Sequence, residues 1–186
     1  MKTSCSTVSL MFVACLLMGV SARAQEANPS SPPIASRHKL SGYFTSQGLA
    51  YLSDARTMGG LGLGVGVRDV LDTHYVLQAD VSYLAFVGSS AAIRLGAGVQ
   101  LGHTYNPAAL VTLTTQVGQQ LSFLTEAHGT PIRAPALSGG VLLAPLRFDL
   151  GETQVSLLQV GIGAGTDLPG LGLCVSVGLL EIGSSF

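Results

Sequence analysis

The segment Leu61-Gly62-Leu63-Gly64-Val65-Gly66-Val67 alternates aliphatic residues and glycine without a break. A period of two puts every branched side chain on one face of an extended strand, whereas on a helix it would scatter them around the axis. Ile93, Leu95, Ala97, Val99 and Leu101 repeat the pattern against Arg94, Gly96, Gly98, Gln100 and Gly102. Followed along the chain, the same periodicity predicts eight strands, at approximately 41–53, 57–68, 74–86, 91–104, 110–123, 135–148, 153–166 and 171–181. Turn chemistry separates them: two aspartates between Arg68 and Thr73, Asn106-Pro107, Asp149-Leu150-Gly151, and Asp167-Leu168-Pro169-Gly170. The longest connection runs from Thr125 to Pro135. An even strand count with short connections suits an all-β, up-and-down antiparallel barrel closed on itself.

The chemistry of the two faces decides which solvent the barrel meets. Tyr75, Leu77, Ala79, Val81, Tyr83 and Ala85 oppose Val76, Gln78, Asp80, Ser82, Leu84 and Phe86. Val111, Leu113, Val117 and Leu121 oppose Thr112, Thr114, Gln116, Gly118, Gln120 and Ser122. A water-soluble barrel or sandwich carries Lys, Glu and Arg on its polar face, but only 10% of this chain is charged, against about a quarter in soluble domains. Small, uncharged polar residues fit the crowded interior of a narrow barrel, with the aliphatic face turned to lipid. At strand centres the charges expected are Asp80 and Arg94, both on the polar face. That placement avoids the roughly 2–4 kcal/mol cost of Arg or Lys facing lipid at mid-membrane. Other charges, including Asp54, Arg56, Asp69, Asp72, Asp149, Glu152 and Asp167, fall at or beside turns. Tyr43, Tyr51, Tyr75, Tyr83, Tyr105, Phe123 and Phe148 lie near strand ends, where interfacial aromatic girdles form.

The N-terminus has the zones of a secretory signal: Lys2, an apolar stretch from Val8 to Val20, and small residues at Ala22-Arg23-Ala24. The organisation expected is a cleaved signal peptide at 1–24, a Pro/Ser-rich leader at 25–39 and a barrel at 40–186. Cleavage leaves Cys174 as the one cysteine, so neither an intramolecular disulfide nor a thiolate metal cluster is expected. A net charge of −1 gives no sign of a nucleic-acid partner.

Little in the sequence points to chemistry. The run Gly59 to Gly66 lacks GxGxxG spacing and is better explained by small inward residues that leave room for neighbours such as Arg94. His38, His74, His103 and His128 show no metal-ligand spacing, and no cofactor is expected. The pair Asp80 and Arg94 is a lumen polar pair, read either as an internal ion pair in a solid barrel or as a constriction for small solutes.

Together the signal, eight amphipathic strands and terminal Phe186 resemble the small outer-membrane barrels of the OmpA and OmpX type. The resemblance implies residence in a bacterial outer membrane and contact with its lipid. It also implies that the barrel-assembly machinery reads Phe186 as the C-terminal aromatic. Phe186 stands on the parity opposite to Leu171, Leu173, Val175, Val177 and Leu179. Either a bulge near Leu180 shifts the register or the terminal signal is imperfect. The role expected is structural or surface-interacting, through a ligand at loops such as 124–135, without enzymatic activity. The alternatives are a narrow porin-like channel, a soluble secreted β-protein and a lipid A-modifying enzyme. For the enzyme, His103-Thr104-Tyr105-Asn106 resembles a deacylase motif with Tyr105 where Ser is wanted.

Overall fold

In a computed structural model, which describes residues 38–54, 56–86, 89–102, 104–118, 134–167 and 170–186, the alternating segments form nine antiparallel strand segments. They are β1 (His38–Ser53), β2 (Thr57–Leu71), β3 (Tyr75–Phe86), β4 (Ser90–Gln100), β5 (Ala108–Gly118), β6 (Ala136–Ala144), β7 (Leu146–Leu150), β8 (Thr153–Asp167) and β9 (Gly170–Ser185). The expected signal peptide and all of the leader but its last two residues lie outside the described residues. β1 begins at His38, two residues before the expected start of the barrel.

Each strand pairs with its neighbours in chain order except β6 and β7, which do not pair with each other; β1 pairs with β9, and β6 pairs with β8. The last pairing closes the sheet. β6 and β7 pair with β8 in one continuous register on either side of Pro145, so they are two halves of one wall strand in an eight-stranded, up-and-down barrel. Pro145 has no N–H to offer the ladder, which is why the expected strand at 135–148 divides there. One end of the barrel carries His38, Phe186 and the turns 72–74 and 151–152; at the other, β1, β3, β5 and β8 end and β2, β4, β6 and β9 begin. The turn after β2 is made by Asp72 and Thr73, at φ of 50° and 65°, and closed by a bond from His74 N–H to Leu71 O (3.1 Å). Two successive positive φ angles are the mark of a type I′ turn, whose twist matches that of the flanking strands.

The barrel is apolar outside and polar inside. Leu63 and Val111 are each 70% exposed, while Gln78, Asp80 and Gln116 on the opposite parity are 5%, 2% and 2% exposed. β1 puts Tyr43, Thr45, Gln47, Leu49 and Tyr51 all inward, which accounts for its irregular hydrophobicity. The interior is layered. Leu49, Tyr51, Met58, Leu84, Ala92, Ala136 and Cys174 form an apolar cluster towards the end away from the termini. Val70, Val76, Ala108, Leu110, Leu142 and Ala144 form a second towards the terminal end. Most of the charged and amide side chains lie between them.

A row of irregularities crosses three adjacent strands. The flanking registers align Pro145 with Leu158 and Leu158 with Leu179, and against β1 the partner of Ser46 is Leu180 while that of Gln47 is Gly178. Leu179 is therefore a bulge residue, and Leu158 takes a φ of 60°. In this row two consecutive residues face outward on each strand: Pro145 and Leu146, Leu157 and Leu158, Leu179 and Leu180. Parity then reverses. Arg147, Ser156 and Glu181 turn inward, and Phe186 falls on the outward parity with Leu180 and Ile182.

Candidate functional site: the buried charge layer

Asp80 and Arg94 are direct partners in the β3–β4 register and point into the barrel. Arg94 Nε donates to Asp80 Oδ2 at 3.0 Å, and Arg94 Nη2 donates to Gln47 Oε1 at 2.9 Å. Tyr43 Oη donates to the same carboxylate oxygen at 3.2 Å. A second ion pair lies beside the first. Arg68 Nη2 donates to Glu181 Oε1, whose other oxygen accepts from Gln159 Nε2 at 2.8 Å. Arg68 also reaches Gln154 Oε1 (3.3 Å) and Gln78 Oε1 (3.4 Å), and its guanidinium carbon stands 4.8 Å from the centre of the Tyr43 ring. Tyr43 thus touches both pairs, by its hydroxyl to one and its ring face to the other. Each charge is taken out of water, and attraction offsets that desolvation only where geometry and additional hydrogen bonds are good.

Glycine makes the space. Tyr43 pairs with Gly66 across β1 and β2, and a Cβ at Gly66 would lie 2.6 Å from Tyr43 Oη. Gly172 does the same for the ring of Tyr51. The room left by the glycine faces is filled by tyrosine rings, whereas the sequence suggests Arg94 as the beneficiary. For the same reason Tyr43 and Tyr51, expected in an interfacial girdle, are inside the barrel at 3% and 1% exposure. Tyr75, Tyr83 and Tyr105 do face outward.

Arg68, Arg147 and Glu181 are interior charges that sequence reasoning placed in or near turns. Arg68 shares parity with Gly64 and Gly66, and the alternation carried two residues further would have found it, because β2 continues to Leu71. Arg147 and Glu181 carry no such signal, since each becomes inward only through the parity reversal. Phe186 is 77% exposed at the terminal end, and its N–H donates to Leu40 O at 3.1 Å.

The remaining candidates are dispersed. His38 meets Asp69 at 3.2 Å at the rim, and His74 sits in the β2–β3 turn. His103 and His128 lie outside the described residues, and with His103 goes the key residue of the deacylase-like tetrapeptide. Of that tetrapeptide, Tyr105 packs on Phe148 with ring centres 5.6 Å apart, and Asn106 N–H donates to Arg147 O at 2.7 Å. Among the described residues no group of three His, Cys, Asp or Glu side chains could hold a metal. An internal void of about 10 Å³ open to the centre of a water molecule, lined in part by Thr114, Ser138, Cys174 and Ser176, has room for about one water.

Neisserial surface protein A shares this architecture, with a TM-score of 0.54 at 8% identity over 81% of this chain and 98% of that one. The fold is that of the small eight-stranded outer-membrane β-barrels. Ail, the attachment invasion locus protein of Yersinia pestis (TM-score 0.47, 10% identity, 81% of this chain and 99% of that one), is also similar. So is the N-terminal barrel domain of Pseudomonas aeruginosa OprF (0.41, 12%, 78% and 97%). No protein-family model and no curated protein matches the sequence.

Proposed function

We propose that the mature chain is an integral outer-membrane protein with a structural or surface-interaction role, exported by its signal peptide and inserted as a barrel that does not conduct solutes. The observation that carries this reading is the inside-out wall: aliphatic side chains from every strand face outward, while Asp80, Arg94, Arg68, Arg147 and Glu181 are enclosed. Only a hydrocarbon solvent makes that arrangement favourable. In this reading the terminal end faces the periplasm, Phe186 serves the assembly machinery, and a surface ligand is met through loops such as 124–135.

The filled interior favours a solid barrel over a narrow channel. Two ion pairs and their amide partners occupy the section between two apolar clusters, and eight strands leave an interior just wide enough for side chains. No enzymatic activity is assigned to it. The test is gel mobility of the mature protein, boiled and unboiled, from a sarkosyl-insoluble outer-membrane fraction, together with single-channel recording in planar bilayers. A heat-dependent band shift without discrete conductance is the expected result. An aqueous protein with no shift would restore the soluble β-fold, and regular conductance steps altered by Asp80→Ala would restore the pore.

A further inference from the structure

Four of the five charged side chains in the buried layer form two pairs, Asp80 with Arg94 and Arg68 with Glu181. Arg147 is the fifth. It is 3% exposed, and its Nε, Nη1 and Nη2 are all shut off from solvent without a hydrogen-bond partner among the described residues. Asp149, two residues along β7, gives both carboxylate oxygens to Lys39 at 2.7 and 2.6 Å. Arg147, Ser156 and Glu181 are aligned across β7, β8 and β9, so the Glu181 carboxylate stands two strands away, roughly 10 Å between Cα atoms at ordinary strand spacing. Both oxygens of that carboxylate are already engaged, by Arg68 and Gln159. A guanidinium does not escape by losing its proton, and a buried charge without a counter-charge is among the costliest arrangements a protein can hold.

We infer that Arg147 holds a small monovalent inorganic anion of the halide class inside the barrel, at the level of Ser156 and Glu181. The class follows from charge, donors and space. The layer carries three arginines against two carboxylates, so one monovalent ion neutralises it. The donors on Arg147 are N–H groups in a planar fork, which suits a spherical acceptor as well as an oxyanion. The interior of an eight-stranded barrel is filled by side chains, which excludes a bulky oxyanion or an organic acid. Arg68 Nε and Gln78 Nε2 are further buried donors of the same layer, and Asp80 Oδ1 a buried acceptor, without a hydrogen-bond partner among the described residues, so it is the three unpartnered nitrogens of Arg147 that single out one point in the layer. The anion is a structural counter-ion, bound as the barrel closes.

The experiment uses the full mature chain refolded in zwitterionic micelles, with chloride replaced by gluconate at constant ionic strength, and crystals grown from the same protein refolded in sodium bromide. An anomalous bromide peak in hydrogen-bond contact with the Arg147 guanidinium is expected. The unfolding equilibrium constant should fall on the order of tenfold when chloride reaches ten times its dissociation constant. Arg147→Met should abolish that chloride dependence. The inference is overturned if bromide is absent from Arg147, or if Arg147→Met responds to chloride as the parent does. Should the variant fail to fold, the bromide position in the parent protein decides alone.

Discussion

Removing the carboxylate of Glu181 should be among the most damaging single changes to this barrel. In Glu181→Leu, Arg68 keeps only the longer bonds to Gln154 and Gln78, at 3.3 and 3.4 Å, and Gln159 keeps only its 3.4 Å bond to Ser156 Oγ. The pair is 1% and 3% exposed, so the discount that applies to surface ion pairs is not available. Stripping one partner from a buried pair costs about 3–5 kcal/mol. With a urea dependence of about 2 kcal/mol per molar, the unfolding midpoint should fall by roughly 1.5–2.5 M, read as the fraction of the heat-modifiable band in a urea titration. The double variant Arg68→Met/Glu181→Leu removes both charges and should recover most of the loss, since apolar replacement of a whole buried pair is often neutral or better. The reasoning is refuted if Glu181→Leu lies within about 0.5 kcal/mol of the parent, or if the two substitutions are additive, because contacting residues couple by about 0.5–3 kcal/mol.

Leu113→Arg places a charge on the outer wall of β5 and should destabilise the protein in vesicles by about 2–4 kcal/mol; urea unfolding in lipid checks it, and a neutral result would argue against a lipid-facing wall. Gly66→Ala should cost about 1–3 kcal/mol through collision with Tyr43, with Gly151→Ala as a control at a position where a Cβ meets nothing within 4 Å but the φ of 85° adds modest strain. Phe186→Ser should leave refolding into micelles unchanged while lowering the amount of barrel in the outer membrane of cells, measured by immunoblot of the membrane fraction.

The barrel was legible because its pattern is simple and repeated. Period-two alternation located the strands of all eight wall positions within a few residues, and the scarcity of charge on the polar face told inside from outside. Asp80 and Arg94 could be singled out because β4 keeps strict parity from end to end and β3 keeps it as far as Leu84, beyond which the pairing with β2 skips Ala85 and Phe86 faces outward. Legibility failed where parity changes. Nothing in Leu157-Leu158 announces that both residues face outward, since an aliphatic pair reads the same with or without a bulge. At Leu179-Leu180 the parity of the terminal Phe186 pointed to a bulge, and the aligned row with Pro145 shows where it lies. That one row explains why Glu181 is a core carboxylate. It also explains why Phe186 has the parity of Leu180 and Ile182 rather than that of Leu171 to Leu179. The tyrosines misled for a different reason: a girdle aromatic and a lumen aromatic differ only by facing, and β1 carries Tyr43 and Tyr51 inward because Gly66 and Gly172 on its neighbours leave room.

The most direct test of the inside-out wall is a nitroxide scan of residues 108–118 in lipid vesicles, one cysteine at a time in a Cys174→Ser background, comparing collisions with oxygen and with a water-soluble nickel chelate. The account predicts oxygen-rich, chelate-poor maxima at positions 109, 111, 113 and 117, with low access to both reagents at 110, 114 and 116. High chelate access at 111 and 113 would contradict it and return those side chains to water.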